Sequence, residues 1–106
     1  VGGARVLIMG LTFKENCPDM RNSRVEHLCR SLNELQFDLT SIDPFLESTP
    51  DISSLPENSY DCIIVAVPHK QFFDYGVDNI RKHLKKPGII FDLKSIFPRD
   101  KTELRL

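Results

Sequence analysis

Four short segments rich in apolar residues stand out along the chain, and each is predicted to be a β-strand. They are "RVLIMGL" at residues 5–11, "FDLTSID" at 37–43, "YDCIIVAVP" at 60–68 and "IIFDLK" at 89–94. In the first of them, continuous apolarity is typical of a strand that is buried on both faces, as in a parallel sheet, and residues 60–68 are the clearest buried strand.

Between these segments, apolar residues recur with helical spacing. Residues 23–35 carry them at i, i+3, i+4, i+7 and i+10, and the segment opens with a capping box, Ser23 to Glu26. "HKQFFDYG" predicts a short helix that Gly76 closes, residues 77–84 predict another helix, and "KKPG" predicts a turn. The remaining "SIFPRDKTELRL" is predicted to be a tail in which a helix could start. The helical stripe of the first helix consists of Val25, Leu28, Cys29, Leu32 and Leu35.

This alternation of strands and helices predicts an α/β fold: a three-layer, Rossmann-like, doubly wound and mostly parallel sheet. Right-handed crossovers place the strands in the order 2-1-3-4. In such sheets the ligand crevice lies beyond the carboxyl ends of the strands. Residues 10–21, 67–69 and 92–95 are expected to converge there.

The bulk composition excludes several classes of function. The 106 residues have a formal net charge of −1 and no basic run, so neither a nucleic acid nor a membrane is an expected partner. Three cysteines without metal-site spacing indicate reduced thiols in the cytoplasm and no metal site. The chain starts with a strand and without Met, which suggests that residues 1–106 form one domain of a longer protein.

The segment "GLTFKENCPDMRNS" is unusually long and polar for a connection between a strand and a helix. Lys14 and Arg21 flank a helix N-terminus, and Lys94 leaves the fourth strand on the same side, which together would suit a phosphate or carboxylate. A structural alternative is that Arg21 pairs with Asp19 or Glu15 and only stiffens the loop. The spacing alone leaves both interpretations open.

No nucleotide-binding glycine loop is present. The dinucleotide fingerprint G-x-G-x-x-G would follow the first strand, where the sequence is "GLTFKE" with a single glycine. Asp43 ends the second strand, where a ribose-binding acid lies in dinucleotide folds, but Asp43-Pro44 is better interpreted as a turn.

The sequence also offers few candidates for catalysis. Cys17 lies near cations but has no histidine nearby to act as a base, so a nucleophilic role is disfavoured. His69 follows a strand end and could face the crevice, but the favoured interpretation is a residue at the start of a helix. The other cysteines and histidines are predicted to be structural or on helix surfaces, namely Cys29 and Cys62 in the core and His27 and His83 on the surface.

A family resemblance extends this interpretation. "VLIMGLTFKENCPDMRNSRV", "SIDP", "YDCIIVAVPHKQF" and "IIFDLKSIF" together resemble, in order and over nearly the whole chain, the C-terminal domain of the UDP-glucose/GDP-mannose dehydrogenase family. The loop pattern F-K-x(4)-D-x-R-x-S is the most specific part. The loop is most similar to that of members acting on UDP-N-acetylhexosamines.

The resemblance implies an NAD-dependent parent enzyme that oxidises the C6 alcohol of a UDP-sugar to a carboxylate and is a homodimer or larger. It implies that Phe13 and Lys14 contact the UDP-sugar, that Arg21 approaches the NAD held mainly by an N-terminal domain, and that Lys94 replaces a substrate-binding arginine of "D-x-R". It places the catalytic cysteine outside this chain, because Cys17 does not match it. No residue of the chain is therefore expected to be catalytic.

A function of another class stays open at this point. The chain could be a stand-alone α/β anion-binding or regulatory module whose polar loop is a structural clamp. The encoding gene discriminates the two: an upstream G-x-G-x-x-G domain and a cysteine-bearing central segment favour the dehydrogenase.

Overall fold

The computed structural model describes residues 4–12, 23–46, 48–93 and 97–105. Their helices and strands follow one another in the alternation that the sequence predicts. The elements are β1 (Arg5–Met9), α1 (Ser23–Glu34), β2 (Asp38–Ile42), a 3₁₀ turn (Ile52–Ser54), β3 (Tyr60–Val65), α2 (Lys70–Tyr75), α3 (Val77–Arg81), β4 (Leu84–Asp92), a second 3₁₀ turn (Arg99–Lys101) and β5 (Leu104–Arg105).

The strands form one sheet in the order β2-β1-β3-β4-β5, and every neighbouring pair is parallel. The predicted α/β fold class and the predicted order of the first four strands are confirmed. The order places β1 between β2 and β3, so the chain reverses its winding after β2. The crevice of an open α/β sheet is expected beside that reversal, at the carboxyl ends of β1 and β3.

The two helices that follow β1 and β3 cover opposite faces of the sheet. In β1, the side chains of Val6 and Ile8 belong to the cluster under α1, whereas Leu7 and Met9 belong to the cluster that contains Phe72, Val77 and Ile80 of α2 and α3. Strict alternation between two cores is the consequence of burying both faces of a strand. The three-layer arrangement predicted from "RVLIM" is therefore correct.

The first helix ends one residue earlier than predicted, and Leu35 does not extend its buried stripe. Gln36 adopts a left-handed backbone conformation with φ 65°, and the Phe37 N–H bonds to the Leu32 carbonyl, which is a typical way to end a helix. Leu35 is consequently 61% exposed. The predicted side-chain contact of the capping box at Ser23 lies outside the described side chains.

The predictions for the segment around residue 84 were wrong. The helix α3 stops at Arg81, and Leu84 already pairs with Tyr60 as the first residue of β4. The register then shifts, so that Cys62 pairs with Ile89 and the "KKPG" residues form an irregular part of β4 rather than a separate turn. Leu84 is buried, and the His83 carbonyl accepts the N–H groups of Ser59 and Tyr60. These contacts place residues 83 and 84 beside the start of β3.

The C-terminal tail does not start an α-helix within its described residues. It makes a single 3₁₀ turn and then adds β5 to the edge of the sheet beside β4. Glu103 fixes this arrangement, because one carboxylate oxygen accepts the Ile90 N–H at 2.8 Å and the other pairs with Arg81. These contacts are non-local, so the local pattern of the tail could not reveal them.

His83 is not on a helix surface, although His27 is exposed as predicted. The His83 side chain is buried; its Nδ1 lies 3.1 Å from the Pro56 carbonyl oxygen and its Nε2 lies 2.8 Å from the Tyr75 hydroxyl oxygen. A carbonyl only accepts, so Nδ1 donates to Pro56 and, in the neutral ring, Nε2 accepts the Tyr75 hydroxyl. Through these two hydrogen bonds, His83 links the loop before β3 to α2.

The two described cysteines are structural, in agreement with the sequence interpretation. Cys29 and Cys62 are free thiols, half-buried against the cluster under α1. Burial raises the pKa of the Cys29 thiol despite a hydrogen bond with Ser41. Burial, assisted by the charge of Asp61, raises the pKa of Cys62 to about 11. Both are protonated and unreactive at neutral pH, because the thiolate is the nucleophile.

The longest helix in the described part of the chain is the 12-residue α1, and none there has the length and apolar character needed to cross a membrane.

Candidate functional site

The carboxylate of Asp43 is the centre of a buried polar cluster at the carboxyl edge of the sheet. Asp43 immediately follows β2 and is 2% exposed. Its Oδ2 accepts the backbone N–H groups of Leu11 at 2.8 Å and Thr12 at 3.1 Å, and the Thr12 hydroxyl at 3.0 Å. Its Oδ1 accepts the Phe45 N–H at 2.9 Å. One carboxylate therefore joins the segments that follow β1 and β2.

His69 adds the segment after β3 to the same cluster. Its Nε2 lies 2.9 Å from Asp43 Oδ2 and 2.7 Å from Thr12 Oγ1. His69 and Thr12 are both fully buried. Asp43 Oδ2 can only accept, so Nε2 must carry a proton. The Thr12 hydroxyl donates to Asp43, and the Thr12 oxygen can accept from His69 Nε2. We call this set of Thr12, Asp43 and His69 the strand-end cluster.

Aromatic rings enclose the imidazole of His69. The Phe45 ring centroid lies 4.9 Å away and the Phe72 centroid 5.7 Å away, both in edge-to-face orientation. His69 is also the residue directly before α2, so the predicted place at the start of a helix is correct. The ring packing and the buried hydrogen bonds allow the His69 side chain little freedom.

The charge of Asp43 is stabilised by its hydrogen bonds. Burial by itself disfavours the carboxylate, but the hydrogen bonds from Leu11, Phe45, His69 and Thr12 outweigh burial, so the pKa of Asp43 is lowered from its ordinary value of 3.8. Asp43 is therefore an anion at neutral pH, and its acceptor positions are used within the fold.

Gly10 makes a close approach between the ends of β1 and β3. Its φ is 104°, and a Cβ built on it would lie 2.5 Å from the Val67 Cβ and 2.8 Å from the Val67 backbone nitrogen. The Val67 N–H bonds to the Met9 carbonyl at 3.2 Å, and the Gly10 N–H bonds to the Ile42 carbonyl at 2.8 Å. Only glycine combines this backbone conformation with this lack of space.

Asp92 contributes a second buried carboxylate, at the end of β4. Its Oδ2 accepts the Phe97 N–H at 2.9 Å. Its Oδ1 is buried and has no hydrogen-bond partner in the part of the chain that the structure describes. In that same part, no group of three or more His, Cys, Asp or Glu side chains is arranged to hold a metal ion.

Residues 7–99 match the sequence profile of the UDP-glucose/GDP-mannose dehydrogenase family, UDP binding domain. The chain belongs to this family. The resemblance drawn from the loop and strand motifs is thereby confirmed, and the matched residues include the whole strand-end cluster.

Similar proteins of known name point to the same family. The chain is 43% identical over 115 residues to the UDP-N-acetyl-D-glucosamine 6-dehydrogenase of Pseudomonas aeruginosa, which covers 100% of this chain and 27% of that protein. It is 37% identical over 112 residues to Protein CapL of Staphylococcus aureus, covering 98% of this chain and 26% of that protein. The chain thus spans about a quarter of the length of these relatives.

A solved structure supports the fold. The UDP-N-acetyl-mannosamine dehydrogenase Cap5O from S. aureus superimposes with a TM-score of 0.74 at 21% identity, covering 99% of this chain and 26% of that one. At this level of identity the similarity establishes the Rossmann-like architecture of the family's UDP-binding domain, and nothing about individual contacts.

The described residues do not form the NAD site that dinucleotide folds place after the first strand. The space beside Gly10 that would admit a pyrophosphate is filled by Val67. Asp43, at the position of a ribose-binding acid, already accepts five hydrogen bonds from this chain. The described residues of this chain therefore do not fit a resident dinucleotide.

The residues predicted to contact the substrate and the cofactor, and the predicted loop cysteine, lie outside the described residues. They are Phe13, Lys14, Cys17, Arg21 and Lys94. The structure does describe the residues adjoining them in sequence: Thr12 precedes Phe13, and Leu93 precedes Lys94. The Leu93 N–H bonds to the Val65 carbonyl at 3.1 Å, so the chain is held to the end of β3 directly before Lys94.

The sequence interpretation missed the strand-end cluster. Asp43 was assigned to a turn, which is correct because the Phe45 N–H bonds to its side chain, but four further hydrogen bonds reach the same carboxylate. A signal was available: Thr12, Asp43 and His69 each lie within four residues of the end of one of three adjacent parallel strands. Polar residues at that place in three neighbouring strands share one edge of the sheet.

Proposed function

We propose that this chain is the nucleotide-sugar-binding domain of an NAD-dependent nucleotide-sugar 6-dehydrogenase. The enzyme oxidises the C6 alcohol of a UDP-sugar, a UDP-N-acetylhexosamine, to the uronate used as a polysaccharide precursor. The observation that carries the proposal is the 43% identity, over the whole chain, to a UDP-N-acetyl-D-glucosamine 6-dehydrogenase. Residues 1–106 are proposed to be the C-terminal domain of that longer enzyme.

The binding roles are assigned to four residues, one aromatic and three cationic. Phe13 and Lys14 contact the UDP-sugar, and Lys94 supplies a point charge to the substrate without the bidentate geometry of an arginine. Arg21 approaches the NAD across a domain interface. No residue of this chain is catalytic. The geometry supports the assignment of Phe13 and Lys94 to binding. Thr12 precedes Phe13 and Leu93 precedes Lys94, and both Thr12 and Leu93 are held at the carboxyl edge of the sheet.

The cofactor is assigned to another domain of the parent, since the described residues of this chain do not fit a dinucleotide. The reacting cysteine is assigned to another domain because Cys17 does not match the cysteine of the family. NAD would supply the hydride acceptor for both oxidation steps, from the C6 alcohol to the carboxylate. The parent is proposed to be a homodimer or larger assembly in the cytoplasm. The free, protonated thiols of Cys29 and Cys62 are in keeping with a reducing compartment.

The test compares two proteins: the one encoded by the complete open reading frame, and the isolated 106-residue chain. We expect the complete protein to form NADH, followed by its absorbance, with UDP-N-acetylglucosamine or UDP-N-acetylmannosamine, and the isolated chain to form none. NAD reduction by the isolated chain would contradict the division of labour. A complete protein inactive on UDP-hexoses and UDP-N-acetylhexosamines alike would contradict the proposed function.

In the complete protein, Lys14→Ala is expected to raise the KM for the UDP-sugar about tenfold or more, because a hydrogen bond to a charged group contributes about 1.5–3 kcal/mol. The matched control is Lys82→Ala: Lys82 is also a lysine, is exposed, and lies just before β4, at the amino-terminal end of that strand. Steady-state kinetics would separate them. Equal effects of the two substitutions would rule out a specific contact by Lys14.

A further inference from the structure

We propose that the strand-end cluster is a positioning device: it fixes where the predicted binding loop leaves β1 and thereby sets the affinity for the nucleotide sugar. This inference rests on the proposed function. It assigns positioning residues, Thr12, Asp43 and His69, that do not themselves touch the substrate.

The first step is the anchoring of the backbone before the loop. The N–H groups of Leu11 and Thr12 both donate to one oxygen of Asp43, at 2.8 and 3.1 Å. Consecutive Cα atoms are about 3.8 Å apart across a trans peptide bond, so the position of Thr12 limits that of Phe13 directly and that of Lys14 closely.

The second step is the rigidity of the anchor. Asp43 is itself held, because its backbone N–H donates to Thr49 Oγ1 at 3.0 Å while its Oδ1 accepts from Phe45. His69 is fully buried between two aromatic rings and approaches the same Asp43 oxygen from the segment after β3. The point at which the chain leaves β1 is therefore defined by three strands at once.

The third step distinguishes positioning from simple stabilisation. The ends of β1 and β3 are already joined by backbone bonds, from the Ala66 and Val67 N–H groups to the Met9 carbonyl. The Thr12 hydroxyl adds contacts to Asp43 and His69 three residues beyond the end of β1. Its effect should appear mainly in how the following residues are placed.

The test is Thr12→Val, which keeps the shape of the side chain and removes the hydroxyl. In the complete protein we expect the KM for the UDP-sugar to rise about five- to tenfold with kcat within about twofold, because lost positioning weakens ground-state and transition-state binding alike. Thr12→Ser restores the hydroxyl and should bring KM back to within about twofold of wild type. KM for NAD should change less than KM for the sugar.

A second measurement does not depend on activity. In the isolated chain, Thr12→Val should shift the backbone amide resonances of residues 13 and 14 and speed hydrogen exchange of the Leu11 and Thr12 amides about tenfold, whereas Thr12→Ser should not. Two results for Thr12→Val would overturn the positioning role. One is a lowered melting temperature with an unchanged KM for the UDP-sugar, and the other is unchanged amide resonances and exchange rates. If the wild-type complete protein turns over no UDP-sugar, the proposed function fails, and the amide data still decide on the anchor.

Discussion

Replacing Gly10 by alanine is expected to lower the free energy of unfolding of this chain by about 3–5 kcal/mol. One part is backbone strain, because a φ of 104° is disfavoured for alanine and costs about 1–3 kcal/mol. The other part is a clash: the new methyl group would lie 2.5 Å from the Val67 Cβ and 2.8 Å from the Val67 nitrogen. Overpacking of this kind costs about 1–3 kcal/mol.

Gly76 provides the matched control. It also has a positive φ, 89°, but a Cβ built on it meets nothing within 4 Å. Gly76→Ala should therefore show strain without a clash and lose only about 1–2 kcal/mol. Urea unfolding of both variants, followed by circular dichroism, measures the difference. Equal losses at the two glycines would mean that β1 and β3 do not approach each other as closely as described.

If Gly10→Ala does not accumulate as a folded protein, the comparison still gives an answer. Gly76→Ala expressed in the same way should remain folded, because its cost is small against the 5–15 kcal/mol typical of a domain. The single glycine of "GLTFKE" is thus explained by the close approach of two chain segments.

The order of the central strands could be predicted because the relevant signal is local. Burial on both faces makes strand segments such as "VLIM" apolar throughout, and the helical spacing in α1 is equally direct. Handedness rules then leave few ways to connect parallel strands. The fold class therefore follows from patterns that each lie within about a dozen residues.

The parts that could not be predicted depend on partners far along the chain. His83 carries no local sign of burial, yet it bridges Pro56 and Tyr75. The tail becomes β5 because Glu103 bonds to Ile90 and Arg81. A strand at the edge of a sheet is defined by its neighbour, so two residues of β5 give no pattern of their own.

The candidate site, like the fold, could be predicted from the sequence only in part. Its location at the carboxyl edge of the sheet follows from fold class alone, and the loop motif identifies the family. The buried acceptors that organise this edge were not recognised, since Asp43 and His69 are 26 residues apart and each has an ordinary local explanation. Only the fold shows that a turn residue and a residue at the start of a helix are joined by a buried hydrogen bond.

Asp43→Ala is the other substitution expected to have a large effect, a loss of about 4 kcal/mol or more in the free energy of unfolding. The substitution removes the acceptor of five hydrogen bonds. Donors on Leu11, Thr12 and His69, which are buried or partly buried, then lose the carboxylate that accepts from them. A buried donor left unsatisfied costs about 1–3 kcal/mol, and losses above 4–5 kcal/mol are confined to such mechanisms. Asp74→Ala is the control, because Asp74 is exposed and pairs only with Lys70 among the described residues, a surface contact of about 0.3–0.5 kcal/mol.

The pH dependence of Asp43→Asn tests the charge as well as the contacts. The pKa of Asp43 is lower in the folded chain than its ordinary value of 3.8, so its ionised form stabilises the fold fully above that value. This contribution disappears as the pH falls through the lower, folded pKa. The asparagine cannot titrate; wild type should therefore be clearly more stable at pH 7 and lose its advantage on acidification below about pH 4. Urea unfolding across this range measures the difference, and a difference independent of pH would show that Asp43 is not held as a buried anion.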